Sequence, residues 1–471
     1  MDSSITDIHE KVAPFIDGET SPGYGLRQQI LSPLEVLAQS ISTIAPSTTP
    51  TLTVPLVFAL AGNGTWLAYV IAMAGMLLMS LCIATFARDS ASPGSLYVYT
   101  RDTLPPVFAA LAAWALFFAY VMTASSVIGG FLNSSYIFLG KFGPHVSPVL
   151  LAVIAAVAAF AIAYRDVKIS AQLMLWIEAC SVCLIAIVVA LVLWKHGLHI
   201  DRAQLHLQGA TPSGVRLGVM LAIFSFVGFE SATTLGSEAR EPLRNIPRAV
   251  VRSALLAGVF FVVCTYGETL GFRTSPTSLG DSSVPMTFLS AQVGAPFLSG
   301  FINAGVLVSM FAATLACIIA AARVLMLMAH HGLAHASLGT THARNETPAL
   351  AGLVAAVLAV LPAAVLAARG VSGADIYGWM GALAVFGFLT AYGLVAVAMP
   401  IHLRRRGRLK SGNLLLAIVA AIAMLAAIFG TVYPVPQKPY CYLPWIYVAY
   451  LAAGMMWYAI SRVRSKVPKD V

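Results

Sequence analysis

The sequence predicts an all-α integral membrane protein of twelve transmembrane helices, and three observations carry that expectation. The chain of 471 residues is 59% hydrophobic and only 10% charged, with a mean hydropathy of +0.84, whereas a soluble domain holds about 25% charged residues. Apolar stretches long enough to cross about 30 Å of hydrocarbon as helix recur along its whole length. Finally, Lys and Arg fall unevenly between alternate connections, which orients the spans.

Taken in order, a polar segment 1–33 comes first, with no basic region feeding an apolar one, so no cleaved signal peptide is expected. Spans 1–5 are placed at 34–61, 65–86, 106–132, 147–164 and 169–194, a first unit over 34–194. Spans 6–10 follow at 214–236, 249–272, 298–329, 348–368 and 375–399, a second unit over 214–399. Spans 11 and 12, at 412–432 and 443–463, form a third region over 412–463, and 464–471 is a short tail. An even number of spans puts both ends on one side. With the termini cytoplasmic, that side collects 21 of the 28 Lys and Arg. The outer side keeps Lys141, Lys195, Arg202, Arg216, Arg273, Arg369 and Lys438. This distribution accounts for the net charge of +9 through the bilayer and its lipids, without nucleic acid as a partner.

Two spans are predicted to break. In the first, Pro46, Pro50 and Pro55 stand close together with hydroxyl residues between them, and proline removes a backbone donor and clashes with the preceding turn. The sixth is expected to break more gently, through Gly228 in "FVGFES". Irregular backbone at membrane depth is tolerated where protein covers it or where it lines a cavity. Breaks in spans 1 and 6 are the correspondence expected of a five-plus-five inverted repeat, with spans 11 and 12 added.

Ionisable groups inside spans are functional candidates by default. Glu230 follows Gly228 in the sixth span, and Glu178 lies in the fifth, one turn before Ser181. Glu230 reads either as a group that exchanges a proton or as an acceptor for amides freed by the breaks. Glu178 reads as an ionisable group between spans 1, 5 and 8, or as an acceptor for hydroxyls such as Ser309 or Thr314. Glu35 and Glu268 lie near span ends, where a solvated or interfacial role is expected. Arg323, towards the inner end of span 8, either snorkels or pairs in a cytoplasmic gate. His330, His331, His335 and His342 cluster after span 8, and Cys180 and Cys183 form a C-x-x-C. Neither pattern has the spacing and second ligand group of a metal centre, so no metal and no cofactor is expected.

The stretch "FSFVGFESATTLGSEAREPLRNIPRAV", Phe224 to Val250, resembles the sixth span and following connection of the amino acid–polyamine–organocation (APC) superfamily, bacterial amino acid permease type. That pattern runs F-x-G-[FV]-E and then E-x-x-x-P-x-[KR]-N-[IL]-P-x-A. "SPGSLYVYTRDTLPPVFAALAAW" (Ser92–Trp114) and "AARVLMLMAHHGLAHASL" (Ala321–Leu338) agree with two further family segments, with Ala334 in place of a usual proline. The resemblance implies a transporter with five-plus-five inverted repeats and a central site between broken spans 1 and 6. It places substrate-binding positions at Ile44, Ala45, Pro46, Ser47, Thr48 and Thr49 in span 1, Tyr120 in span 3, and Phe224, Val227, Gly228 and Phe229 in span 6. Phe224 takes the position whose ring stacks over substrate, and Phe229 and Tyr120 point there by alignment. Glu230 takes a position linked to protonation, and Ser181 stands where many proton-coupled members carry a lysine.

Two departures matter. The usual G-[ST]-G-I-F of span 1 is replaced by Ala45-Pro46-Ser47-Thr48-Thr49-Pro50. Amides exposed there still offer an anion site at a half-helix N-terminus. The missing lysine at Ser181 leaves Glu178 as the group to replace it. The expected function is proton-coupled secondary transport of an amino acid or related small amine across the bacterial plasma membrane. Alternatives are an obligate exchanger or a metabolite or drug exporter, or a non-transporting sensor or membrane enzyme. The sequence allows a homodimer.

Overall fold

A computed structural model describes residues 24–139, 146–165, 167–197, 200–433 and 435–466, without the side chains of 167–171, 173–175, 177 and 463–466. The expected outer Lys141, residues 1–23 of the first tail and residues 467–471 of the last lie outside the described residues.

The described chain is helical apart from one isolated parallel bridge between Leu31 and Ala239. The helices are α1 (Pro33–Ile44), α2 (Val54–Ala61), α3 (Thr65–Ala87), α4 (Ser95–Arg101), α5 (Pro106–Leu139), α6 (Pro148–Arg165), α7 (Val167–Lys195) and α8 (Arg202–Leu205). They continue as α9 (Pro212–Phe224), α10 (Pro242–Gly271), α11 (Pro285–Gln292), α12 (Leu298–His330), α13 (Ala349–Ala368), α14 (Gly373–Arg405), α15 (Ser411–Val432) and α16 (Leu443–Lys466). Ten segments among the described residues are long and apolar enough to cross a membrane, the first being the 55-residue run Pro33–Ala87.

Burial sorts the helices into layers. Helix α5 packs against both α12 and α14, and buried residues line nearly every turn of each. Helices α6, α13 and α15 stand outside them and keep buried only a stripe of small residues, such as Ala152, Ala156 and Ala159 against Ala355, Ala359 and Ala363. Small side chains bring backbones close where lipid supplies no hydrophobic drive between helices. The outward faces are Leu, Ile, Val and Phe, for example Leu415, Ile422 and Leu425 on α15. Cys180 and Cys183 are exposed on α7 and behave as part of that apolar outer face.

The sixth span departs from expectation. Its α-helix stops at Phe224; turns occupy 225–230 and a 3-10 helix runs from Ser231 to Leu235. The break is therefore extensive rather than gentle. Gly228 has φ +91°, and the Thr233 and Thr234 hydroxyls donate to carbonyls three residues back, which competes with helix bonding. The charged stretch that follows is not a loop for most of its length, because α10 starts at Pro242 and carries Arg244, Arg248 and Arg252 in its first turns.

Candidate functional site

The first break is built from residues with little choice. Ser32 and Glu35 cap α1 reciprocally, and the helix ends at Ala45, which takes the left-handed conformation (φ 49°, ψ 63°). The carbonyl of Ala45 accepts from both the amide (2.9 Å) and the hydroxyl (2.8 Å) of Thr48. Pro46 has no amide proton to offer. A π-helix, Thr49–Thr53, then leads into α2. The Ser47 amide, at the head of this second half, donates to Glu178 Oε1 at 3.1 Å. The other oxygen of Glu178 accepts a very short bond from Ser309 on α12. Thr314 bonds instead to the Met310 carbonyl. Ser181, buried one turn on, packs against Gly305 of α12.

The second break abuts the first. Gly228 lies against Thr43 so closely that a methyl there would sit 2.9 Å from Thr43 Cβ. Ser40 Oγ donates to the Phe229 carbonyl (2.6 Å) and accepts from the Ala232 amide (3.1 Å). Ser231 Oγ donates to Thr43 Oγ1 at 2.8 Å. Glu230 is fully buried, and its two oxygens accept from Tyr120 (2.7 Å) and Tyr392 (2.5 Å). Two phenols on α5 and α14 thus hold it, and backbone groups of Gly228 and Glu230 at the break bear on the same carboxylate.

The structure brings Ile44, Ala45, Ser47, Thr48, Thr49, Phe224, Val227 and Gly228 into the buried zone where the two breaks meet. Phe224 meets Tyr377 edge to face, with ring centroids 5.3 Å apart. Phe229 is fully buried against the Tyr392 ring at 5.4 Å, and the Tyr120 hydroxyl donates to Glu230. Several hydroxyls around the first break meet no hydrogen-bond partner among the described residues, namely Ser42, Ser47 and Thr49.

Each side of this zone is closed by polar contacts. On the side away from the arginine-rich connections, Tyr377 accepts or donates to Thr53 Oγ1 at 3.0 Å, while its carbonyl accepts from Ser126 at 2.6 Å. On the arginine-rich side, Arg323 does not snorkel. It is 2% exposed, and its Nε and Nη2 donate to the two oxygens of Glu238 at 2.8 and 2.5 Å. Residues Gln29–Leu31 are stapled to the same segment through Gln29 N to Ser237 O, Leu31 N to Glu238 O and Arg240 N to Leu31 O. Gln39 Nε2 donates to the Ala316 carbonyl at 3.0 Å just above.

Glu35 and Glu268 are both buried, which corrects the interfacial role expected of each. Glu35 caps the Ser32 amide and accepts from Gln172. The histidines after α12 have separate duties. His331 Nδ1 bonds the Tyr97 hydroxyl at 2.8 Å, and burial pushes its pKa down to about 3. His335 caps the Ser337 amide, and His342 bonds Tyr164. Sequence reasoning missed Tyr377, Tyr392 and Glu238. The signal for Glu238 was present, since it is the first residue of the E-x-x-x-P pattern.

Residues 31–457 match the family model described as amino acid permease. The branched-chain amino acid permease BcaP of Bacillus subtilis (strain 168) is 26% identical over 313 residues, covering 62% of this chain and 65% of that permease. The methylthioribose transporter of the same organism is 22% identical over 369 residues, covering 74% and 76% of the two chains. The low-affinity putrescine importer PlaP of Escherichia coli (strain K12) is 26% identical over 311 residues, covering 62% and 66%.

Proposed function

The chain belongs to the amino acid permease family, and from that premise we propose that it is a proton-linked secondary transporter of an amino acid or related small amine. In this reading twelve spans cross the plasma membrane with both termini cytoplasmic. Spans 1–5 (34–194) and 6–10 (214–399) are inverted repeats, and spans 11 and 12 (412–463) flank them. The substrate sits between the two breaks and is exposed to each side in turn.

The observation that carries the proposal is the occupant of the first break. A half-helix N-terminus is an anion site, and here the Ser47 amide already holds a carboxylate of the protein, Glu178. A substrate carboxylate and the Glu178 carboxylate compete for one donor. A proton on Glu178 weakens its claim on that amide and leaves Ser309 an acceptor partner. Protonation and binding of an α-amino acid then favour each other, and such linkage is reciprocal. An amine without a carboxylate lacks this competition. Its ammonium rests on carbonyls freed at the two breaks and on the face of Phe224. The relatives are named for an amino acid, an amine and a sugar derivative, so the carboxylate is the feature to test.

The test is thermal stabilisation of the purified protein against amino acids, amines and polyamines at acid and alkaline pH. A ligand of the folded state raises the melting temperature by mass action. The expected result is stabilisation by an α-amino acid that strengthens at acid pH and loses its pH dependence in Glu178→Gln. Unchanged pH dependence in that variant sinks the linkage. Counterflow against net uptake in liposomes separates a coupled carrier from an obligate exchanger.

A further inference from the structure

Five glutamates are buried among the described residues: Glu35, Glu178, Glu230, Glu238 and Glu268. Four have donors. Glu35 has the Ser32 amide and Gln172, Glu178 has Ser47 and Ser309, Glu230 has two tyrosines, and Glu238 has Arg323. Glu268 is 0% exposed, and neither of its oxygens meets a hydrogen-bond donor among the described residues. The hydroxyl of the adjoining Thr269 is unpartnered as well.

Its surroundings explain the isolation. Glu268 lies in the last turn of α10, which packs against α3, α7, α11 and the π-helix of the first break. From α3, Tyr69 comes within electrostatic range, and from its own helix, Cys264 one turn earlier. Around the adjoining glycines, α7 presents Val189, Val192 and Leu193, and α11 presents Leu289 and Gln292. No Lys, Arg or His pairs with Glu268 among the described residues. Arg273, the next base along the chain, is taken by Asp201 and Asn63. An ionised carboxylate in such a place, with no pairing charge and no donor, is strongly unfavourable. The group needs a bound proton or a bound cation.

Position gives this need a consequence. The Tyr69 hydroxyl is hydrogen-bonded to Ser225 Oγ at 3.0 Å, and Ser225 is the residue where α9 unwinds into the second break. Tyr69 also meets Phe261, two turns before Glu268 on α10, with ring centroids 5.9 Å apart, so it links the helix that carries Glu268 to the hinge of the sixth span. We propose that Glu268 is a further proton-binding site, whose proton is held while the region is sealed and exchanged when the break of the sixth span moves. This extends the proton-linked reading above to a carboxylate that touches neither Glu178 nor Glu230.

Two measurements on the full-length protein decide it. The first is the infrared absorption of protonated carboxyl groups in purified protein, which is independent of any transported substrate. Wild type shows a band that Glu268→Gln removes and Glu178→Gln leaves in place, and Glu268→Asp restores it in shifted form. The second is uptake into liposomes under an imposed gradient of about one pH unit. Losing one coupled proton lowers the limiting accumulation about tenfold in Glu268→Gln, since one pH unit is a factor of ten per proton, while counterflow persists. A spectrum without a Glu268 band overturns the proposal. So does sodium-dependent binding in wild type that Glu268→Gln abolishes, which would assign the site to a metal cation. A band with unchanged accumulation makes the proton a fixed structural one and overturns the coupling. If wild type moves no substrate, the transport reading fails and the infrared result alone decides whether Glu268 binds a proton.

Discussion

Replacing Arg323 by Met isolates Glu238, which is 1% exposed and bound to Arg323 through two parallel contacts at 2.8 and 2.5 Å. Removing one partner of a buried pair costs about 3–5 kcal/mol, because the other charge is left uncompensated. If the pair is a gate, that cost falls on the sealed state alone: opening the arginine-rich side hydrates Glu238 and relieves it. At 1.4 kcal/mol per factor of ten, the balance moves towards the open state by about 10²- to 4 × 10³-fold. Cys317 reports the change, since it is 0% exposed on α12 less than two turns from Arg323. With the other five cysteines replaced, a hydrophilic thiol reagent applied from the arginine-rich side reacts faster with Cys317 in Arg323→Met than in the parent. A double variant, Arg323→Met with Glu238→Leu, removes both charges and recovers stability, and it too opens more readily because nothing directional ties α12 to the segment after the second break. Loss of melting temperature with unchanged Cys317 labelling in Arg323→Met refutes the gate and leaves a purely structural ion pair.

Three further outcomes follow from single contacts. Gly228→Ala combines a left-handed backbone, about 1–2 kcal/mol for a residue with a Cβ, with overlap on Thr43, about 1–3 kcal/mol of overpacking; the melting temperature of the variant falls, and an unchanged value refutes the reading of Gly228 as sterically required. Tyr392→Phe deletes one of two donors to a buried carboxylate, a loss of about 1.5–3 kcal/mol, so it lowers stability more than Tyr447→Phe, whose hydroxyl donates to a neutral threonine. His331, with its pKa pushed down to about 3 by burial, stabilises the fold fully above its unfolded value of about 6.5, and that contribution is lost as pH falls from there towards about 3; His331→Gln flattens the acid limb of a melting-temperature profile, and an unaltered limb counts against it.

The parts of this architecture legible in the sequence are those fixed locally. Pro46 and Pro50 announced the first break because a missing amide proton acts within one turn, and the chain does leave the helix at Ala45. Of the two hydroxyls of span 8 that the sequence offers as alternative partners for Glu178, Ser309 bonds it and Thr314 does not, because polar residues on apolar spans have few partners at that depth. The sixth span was harder. Gly228 marked the break, but the loss of helix from Ser225 onward depends on Ser40 and Thr43 of another span bonding its backbone. Glu268 was misjudged because its distance from the end of a span suggested solvent, whereas α11 and α7 cover it. Tyr377 and Tyr392 sit in a helix so uniformly apolar that no periodic signal separated them from packing residues.

The donors around each membrane carboxylate rank them for proton exchange in a way their sequence positions did not. Glu230 is held by two phenols from different helices, so it ties α5 and α14 to the second break. That makes it a brace between the second break and the central helices. Glu178 is held by one hydroxyl and one backbone amide, and the amide belongs to the very segment that must rearrange when the first break moves. On the proposed reading its environment changes with the transport step, which is the condition for a proton to be taken up on one side and released on the other. The sequence weighed Glu230 and Glu178 together as proton carriers. On the proposed proton-linked reading their partners divide the work, with Glu178 answering to the substrate and Glu230 holding the frame against which it moves.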